Sequence, residues 1–125
     1  MKYSIKGDPL MASRAPICQK NMFDTGAHRR LVTEINLINQ HDEAPLFDGP
    51  VHLDVIFYFS RYSRSKKNIP GSAFYAGHPE IYTLLKWIQD VGKNIIFSSG
   101  CCFVAVNIEK RYADEPRTEF DIRKL

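Results

Sequence analysis

VHLDVIFYFS, residues 51–60, decides the fold. Val51, Leu53, Val55, Phe57 and Phe59 alternate with His52, Asp54, Ile56, Tyr58 and Ser60, which is the period-two signature of a strand with one apolar and one mixed face. The turn residues Asp48, Gly49 and Pro50 precede it. Upstream, Leu31, Val32, Ile35 and Ile38 recur at three- and four-residue intervals, predicting an amphipathic helix over about His28–Gln40, with Asp24, Thr25 and Gly26 as its start. Lys2–Lys6 reads as a short first strand, followed by a loop containing Gly7, Pro9 and Pro16.

Downstream, residues 61–77 form a long loop holding Pro70 and Gly71, and RYSRSKK (Arg61–Lys67) within it carries four cations and no acid. Loops of this length in a small domain are commonly functional. Pro79 then opens a second helix at its favoured first-turn position, Glu80 complements the helix dipole, Ile81, Leu84, Leu85 and Ile88 form the buried stripe, and Gly92 stops it. Asn94–Ser98 and Cys102–Lys110 read as two strands around a turn at Ser99 and Gly100, and Thr118–Lys124 as a last strand. Strand, helix, strand, helix, then strands describes an α+β fold: a single domain over residues 1–125, with a mixed sheet and two main helices packed against it.

Composition sets bounds but points to no chemistry by itself. A 125-residue chain that is 44% hydrophobic and 25% charged suits one globular domain. No apolar run approaches the roughly 20 residues of a membrane span, and MKYSIKGDP lacks a signal-peptide core, so a cytoplasmic address and no membrane partner are expected. Three cysteines cannot all pair within one chain, and their spacing matches no metal motif, which favours a reducing compartment. The net charge of +3 is only mildly basic.

Three segments together resemble the RusA family of Holliday-junction resolvases: HPEIYTLLKWIQD (His78–Asp90), IFSSGCCFVAVNIEKRY (Ile96–Tyr112) and GDPLMASRAP (Gly7–Pro16). The resemblance implies a small dimeric, magnesium-dependent endonuclease acting on four-way DNA. It also implies a site helix of pattern K-P-D-x-D-N-x-x-K and a later D-D pair. Here the proline, Leu84, Leu85 and Lys86 persist and Glu80 replaces the first acid. Tyr82 stands for the second acid, Thr83 for the asparagine, and Ser99 and Gly100 for the acidic pair when counted back from Glu109–Tyr112. Magnesium requires oxygen ligands, normally including one or two carboxylates, to polarise the phosphoryl group and generate hydroxide. One glutamate beside a phenol, a hydroxyl and a glycine is a poor cage.

Three readings follow. The first is a catalytically impaired resolvase homologue binding branched or duplex DNA through Arg14, Arg61, Arg64, Lys66, Lys67, Lys86, Lys110 and Arg111, with Glu80 and Lys86 as vestigial catalytic residues. No cofactor is expected in that case. The second is an active nuclease in which Glu80, with Asp54, Asp90 or a partner's carboxylate, holds magnesium. A third is an interaction module presenting Tyr82, Cys101, Phe103 and the aromatic Phe57–Tyr62 region. Each isolated residue also has a plainer explanation: Glu80 as a helix-dipole partner, Lys86 as an ion-pair partner of Asp90, Asp54 as an exposed strand residue.

Overall fold

The structure is a computed structural model and describes residues 1–9, 22–61 and 73–125, with backbone alone over residues 22–29. Four strands, β1 (Lys2–Lys6), β2 (Val51–Ser60), β3 (Phe103–Ala113) and β4 (Arg117–Lys124), form one sheet in the order β1-β4-β2-β3. Only the β2–β3 pair is parallel. Two long helices, α1 (Met22–Gln40) and α2 (Ile81–Gly92), complete the α+β domain.

Every odd residue of β2 from Val51 to Phe59 is buried, as its alternation predicts. They pack with Tyr3, Ile5, Phe120 and Ile122 of the neighbouring strands, with Leu37 of α1, and with Leu84, Ile88 and Val91 of α2. Both helices therefore lie on one face of the sheet. The other face carries His52, Asp54, Ile56 and Tyr58, all half-buried.

The rotation of α1 is not the one its apolar stripe predicts. Leu31, Val32, Ile35 and Ile38 are exposed, between 43% and 53%, while Thr33, Leu37 and His41 face the sheet. Polar anchors set that rotation. The Gln40 amide accepts from Ser4 N–H at 2.8 Å and donates to Ser4 C=O at 2.8 Å, sealing the free edge of β1. Tyr3 hydroxyl and His41 Nδ1 share a buried hydrogen bond, and His41 Nε2 lies 3.3 Å from the Pro45 carbonyl. The helix also begins earlier than predicted, so Asp24, Thr25 and Gly26 fall inside its first turns.

Two further expectations are corrected around α2. Its first helical residue is Ile81, with Glu80 as N-cap, and Ile81 is 43% exposed; Val91 takes its place in the buried stripe. Asn94–Ser98 is not a strand. The Gly92 carbonyl accepts from both Ile95 N–H (3.0 Å) and Ile96 N–H (2.8 Å), curling the chain so that buried Ile96 and Phe97 plug the core. A Cβ on Gly92 would lie 2.7 Å from the Phe97 ring, so glycine is what lets this turn close. Cys101 and Cys102 sit in a 3-10 turn (Gly100–Cys102) and not in a strand, with Cys101 exposed and Cys102 buried, both as free thiols. No described helix is long and apolar enough to cross a membrane.

Candidate active site

The turn before α2 is built around Lys110 of β3. Its ammonium donates to the Gly77 carbonyl at 2.6 Å and the Pro79 carbonyl at 2.9 Å, which commits residues 77–79 to a turn outside the helix. Tyr75 supports the same turn: its hydroxyl donates to the His78 carbonyl at 2.7 Å, and its ring stacks on Phe59 at 4.1 Å. Burial, then neighbouring Tyr112 and Asp8, push its phenol pKa up, so it remains a donor. Glu80 emerges from this turn as the N-cap of α2, its carbonyl accepting the first helical bond from Leu84 N–H at 3.1 Å.

The Glu80 side chain caps no backbone N–H. Instead Glu80 Oε1 accepts from the Tyr82 hydroxyl at 3.0 Å. That hydrogen bond, then the carboxylate's charge, raises the Tyr82 pKa, so the phenol stays protonated and serves as donor, not as an anionic ligand. Tyr82 is 68% exposed and lies open to whatever binds here. One turn on, Lys86 Nζ is 3.4 Å from Asp90 Oδ1, an exposed i,i+4 pair worth a few tenths of a kcal/mol at most, about 0.5. Two turns on from Tyr82 on the same helix face, Gln89 Nε2 reaches the Gly100 carbonyl at 3.5 Å. Ser99 Oγ accepts from Cys101 N–H at 3.2 Å and is spent as the cap of the 3-10 turn.

Tyr82, Lys86 and Gln89 share one face of α2, and Gln89 at its far end meets the Ser99–Gly100 turn. Residues 17–123 match the family described as "Endodeoxyribonuclease RusA". The chain belongs to that family. This RusA-family chain is also 25% identical over 137 residues to the "Uncharacterized protein YqaN" of Bacillus subtilis (strain 168), a match covering 100% of this chain and 96% of that protein.

The donors present do not fit the magnesium that the resemblance implies. Glu80 has one of its oxygens already engaged by Tyr82, and Asp8, the other acid near the turn before α2, is known there only through its charge on Tyr75. Asp90 lies ten residues along, about 15 Å of helix rise away, too far to share an ion. Asp54 is on the opposite face of the sheet, where it meets His52 Nδ1 at 3.4 Å and Arg123 Nη1 at 3.8 Å, so the expectation that it could approach Glu80 fails for a topological reason. Among the described residues no three His, Cys, Asp or Glu side chains converge as a metal site.

The basic residues divide into three groups. Lys86 is exposed on the site face of α2. Lys110 and Arg111 are occupied: Lys110 by the two turn carbonyls, Arg111 by Glu109 at 2.6 Å and by the Phe74 ring 4.4 Å away. Arg61 pairs with Asp114 at 2.8 Å. Arg14, Arg64, Lys66 and Lys67 lie outside the described residues. Of the aromatics considered for an interaction surface, Phe57 and Phe59 are core and Phe103 packs on Phe97 at 4.7 Å, while Tyr62 lies outside the described residues. Sequence reasoning missed the turn-building role of Lys110, because its partner carbonyls are more than 30 residues away in the chain.

Proposed function

We propose that this RusA-family protein binds branched or duplex DNA as a homodimer while having lost magnesium-dependent strand scission. One observation carries the reading: Glu80 is hydrogen-bonded by the protonated Tyr82, which the resemblance aligns with a second acid, while Gly100, aligned with a later acid, packs on Gln89. Hydrolysis of a phosphodiester needs a cation to gather charge on the phosphoryl oxygens, whereas binding needs only cations and shape. Lys86 is exposed on the site helix and available to a phosphate, its bond to Asp90 being long and solvated.

The test pairs binding with cleavage. Mobility of a labelled four-way junction should be retarded at low salt, with affinity falling steeply as salt rises, and the junction should stay uncut in magnesium or manganese. Cleavage that disappears in Glu80→Gln would sink the proposal. The converse variant, Tyr82→Asp with Thr83→Asn and Gly100→Asp, should gain cutting; a side chain at Gly100 would meet only ordinary contact with Gln89, at 3.5 Å, so the scaffold can accept it.

A further inference from the structure

The two edges of the sheet are finished differently, and the difference marks a docking surface. β1 is closed by the Gln40 amide on both backbone groups of Ser4 and carries Lys2 and Lys6, charges that deter strand addition. At the other edge, Ala73–Tyr75 covers only the far end of β3: Tyr75 N–H donates to Lys110 C=O at 2.9 Å and Tyr112 N–H to Ala73 C=O at 3.0 Å. Those bonds show that Lys110 and Tyr112 turn their backbone groups outward. By the two-residue alternation of a strand, Ile108 and Val106 turn theirs outward as well. Among the described residues nothing pairs with them.

The open stretch, Val104–Ile108, runs from the 3-10 turn to the Ala73–Tyr75 segment and is about 17 Å long, an ordinary strand length. It is flat in charge. No Asp, Glu, Lys or Arg occurs anywhere from Ile95 to Ile108, in a chain that is 25% charged. Val104 and Val106 are exposed, 59% and 37%. A soluble protein normally protects such an edge with lysine, proline or a covering element, as this one does at β1.

We propose that a second copy of this chain occupies the edge, its own Val104–Ile108 added antiparallel about a two-fold axis near Val106. An occupant must be about five residues long, extended, uncharged and apolar on alternate residues, and the same stretch of a second copy has all four properties. The pairing is electrostatically self-consistent, because an antiparallel copy places Phe103 near Glu109 of its partner and brings no like charges opposite one another. Val104 and Val106 of both copies become covered, and the vacant N–H and C=O groups of Val106 and Ile108 gain partners. The surface deepens the homodimer reading above and rests on it.

Sedimentation velocity on the full chain from about 1 to about 500 µM should show monomer converting to dimer, as an interface of modest area implies. Val106→Pro removes an outward N–H that bonds to nothing among the described residues, and Val104→Lys adds a charge to the edge; each should shift the midpoint at least tenfold towards monomer while circular dichroism stays native. Hydrogen exchange of the unsubstituted protein supplies a readout independent of variant folding, since the Val106 and Ile108 amides should gain protection as concentration rises. A protein monomeric throughout, amides that exchange at one rate at every concentration, or a dimer broken by Leu31→Glu with Ile35→Glu on α1 but not by the strand variants would overturn the assignment. Junction retardation by a monomer would sink this surface and leave DNA binding standing; a β3-edge dimer that leaves junctions unretarded would do the reverse.

Discussion

Replacing Lys110 by methionine separates two accounts of one residue, a DNA-facing cation and an internal brace. The ammonium donates to two carbonyls, Gly77 at 2.6 Å and Pro79 at 2.9 Å, the second of them partly buried. Hydrogen bonds from a charged donor contribute roughly 1.5–3 kcal/mol each, and solvent reaching the more exposed Gly77 carbonyl reduces its share, so the loss should be about 2–3 kcal/mol in total. Methionine keeps the apolar stem, which confines the change to the head group. Urea unfolding followed by circular dichroism should show the midpoint falling by roughly 1.5 M at an unchanged slope, given the usual sensitivity of a domain this size. If Lys110 instead faced DNA, stability would hold within about 0.5 kcal/mol and the salt dependence of junction binding would become shallower by about one unit. That second pattern would refute the brace.

Leu37→Ala should cost about 2–5 kcal/mol because the side chain is wholly buried, whereas Leu31→Ala on the outward stripe should change the stability of the monomer by less than about 1 kcal/mol; thermal denaturation at low protein concentration compares them. Gly92→Ala should destabilise by about 1–3 kcal/mol despite alanine's better helix propensity, since the new methyl meets a fully buried Phe97 ring at 2.7 Å, and chemical denaturation would detect a neutral outcome. Tyr3 has its phenol pushed up to about 12, first by burial and then by Asp121. Its folded pKa exceeds the ordinary value of 10, so the native state holds this proton more tightly; the stability involved is complete below pH 10 and drains away as pH rises towards 12. Tyr3→Phe should flatten that alkaline limb of a stability-versus-pH curve.

The fold was legible wherever the pattern depends on neighbours in the chain. Alternation in Val51–Ser60 gave the buried face of β2 residue by residue, and Thr118–Lys124 differs from β4 by one residue at its start. Patterning failed where a polar contact overrode hydrophobicity. Four aliphatic residues on α1 outnumber Leu37, yet the helix turns them to solvent because Gln40 and His41 bind β1 through Ser4 and Tyr3. Those partners are 36 and 38 residues apart, and no local window contains them. Ile95–Phe97 shows the same limit at shorter range: a buried apolar run has one appearance whether it forms a strand or a plug, and only the Gly92 carbonyl decides.

At the candidate site, helix spacing was legible in the sequence and the hydrogen bonding was not. The spacing of Tyr82, Lys86 and Gln89 on one helix face follows from α-helical geometry alone, whereas the contact of Gln89 with Gly100 joins elements that no local pattern connects. What the sequence could not give is that Tyr82 donates to Glu80, which turns a missing ligand into an active constraint on the one that persists. A carboxylate with a hydrogen-bonded phenol two residues away must give up that bond before it can bind a cation with both oxygens. The exposed position of the pair keeps the penalty small, so the bond by itself does not forbid metal. On the function proposed above, the stronger barrier is the lack of a second carboxylate beside Glu80: with a single anionic ligand, a cation that dehydrates as reluctantly as magnesium keeps most of its water and lacks the fixed position that in-line attack requires. Restoring Asp at residue 82 acts on both terms at once, whereas Tyr82→Phe frees Glu80 without adding charge. The two variants should therefore part company, with cutting gained only through the former and only when residue 100 is acidic too.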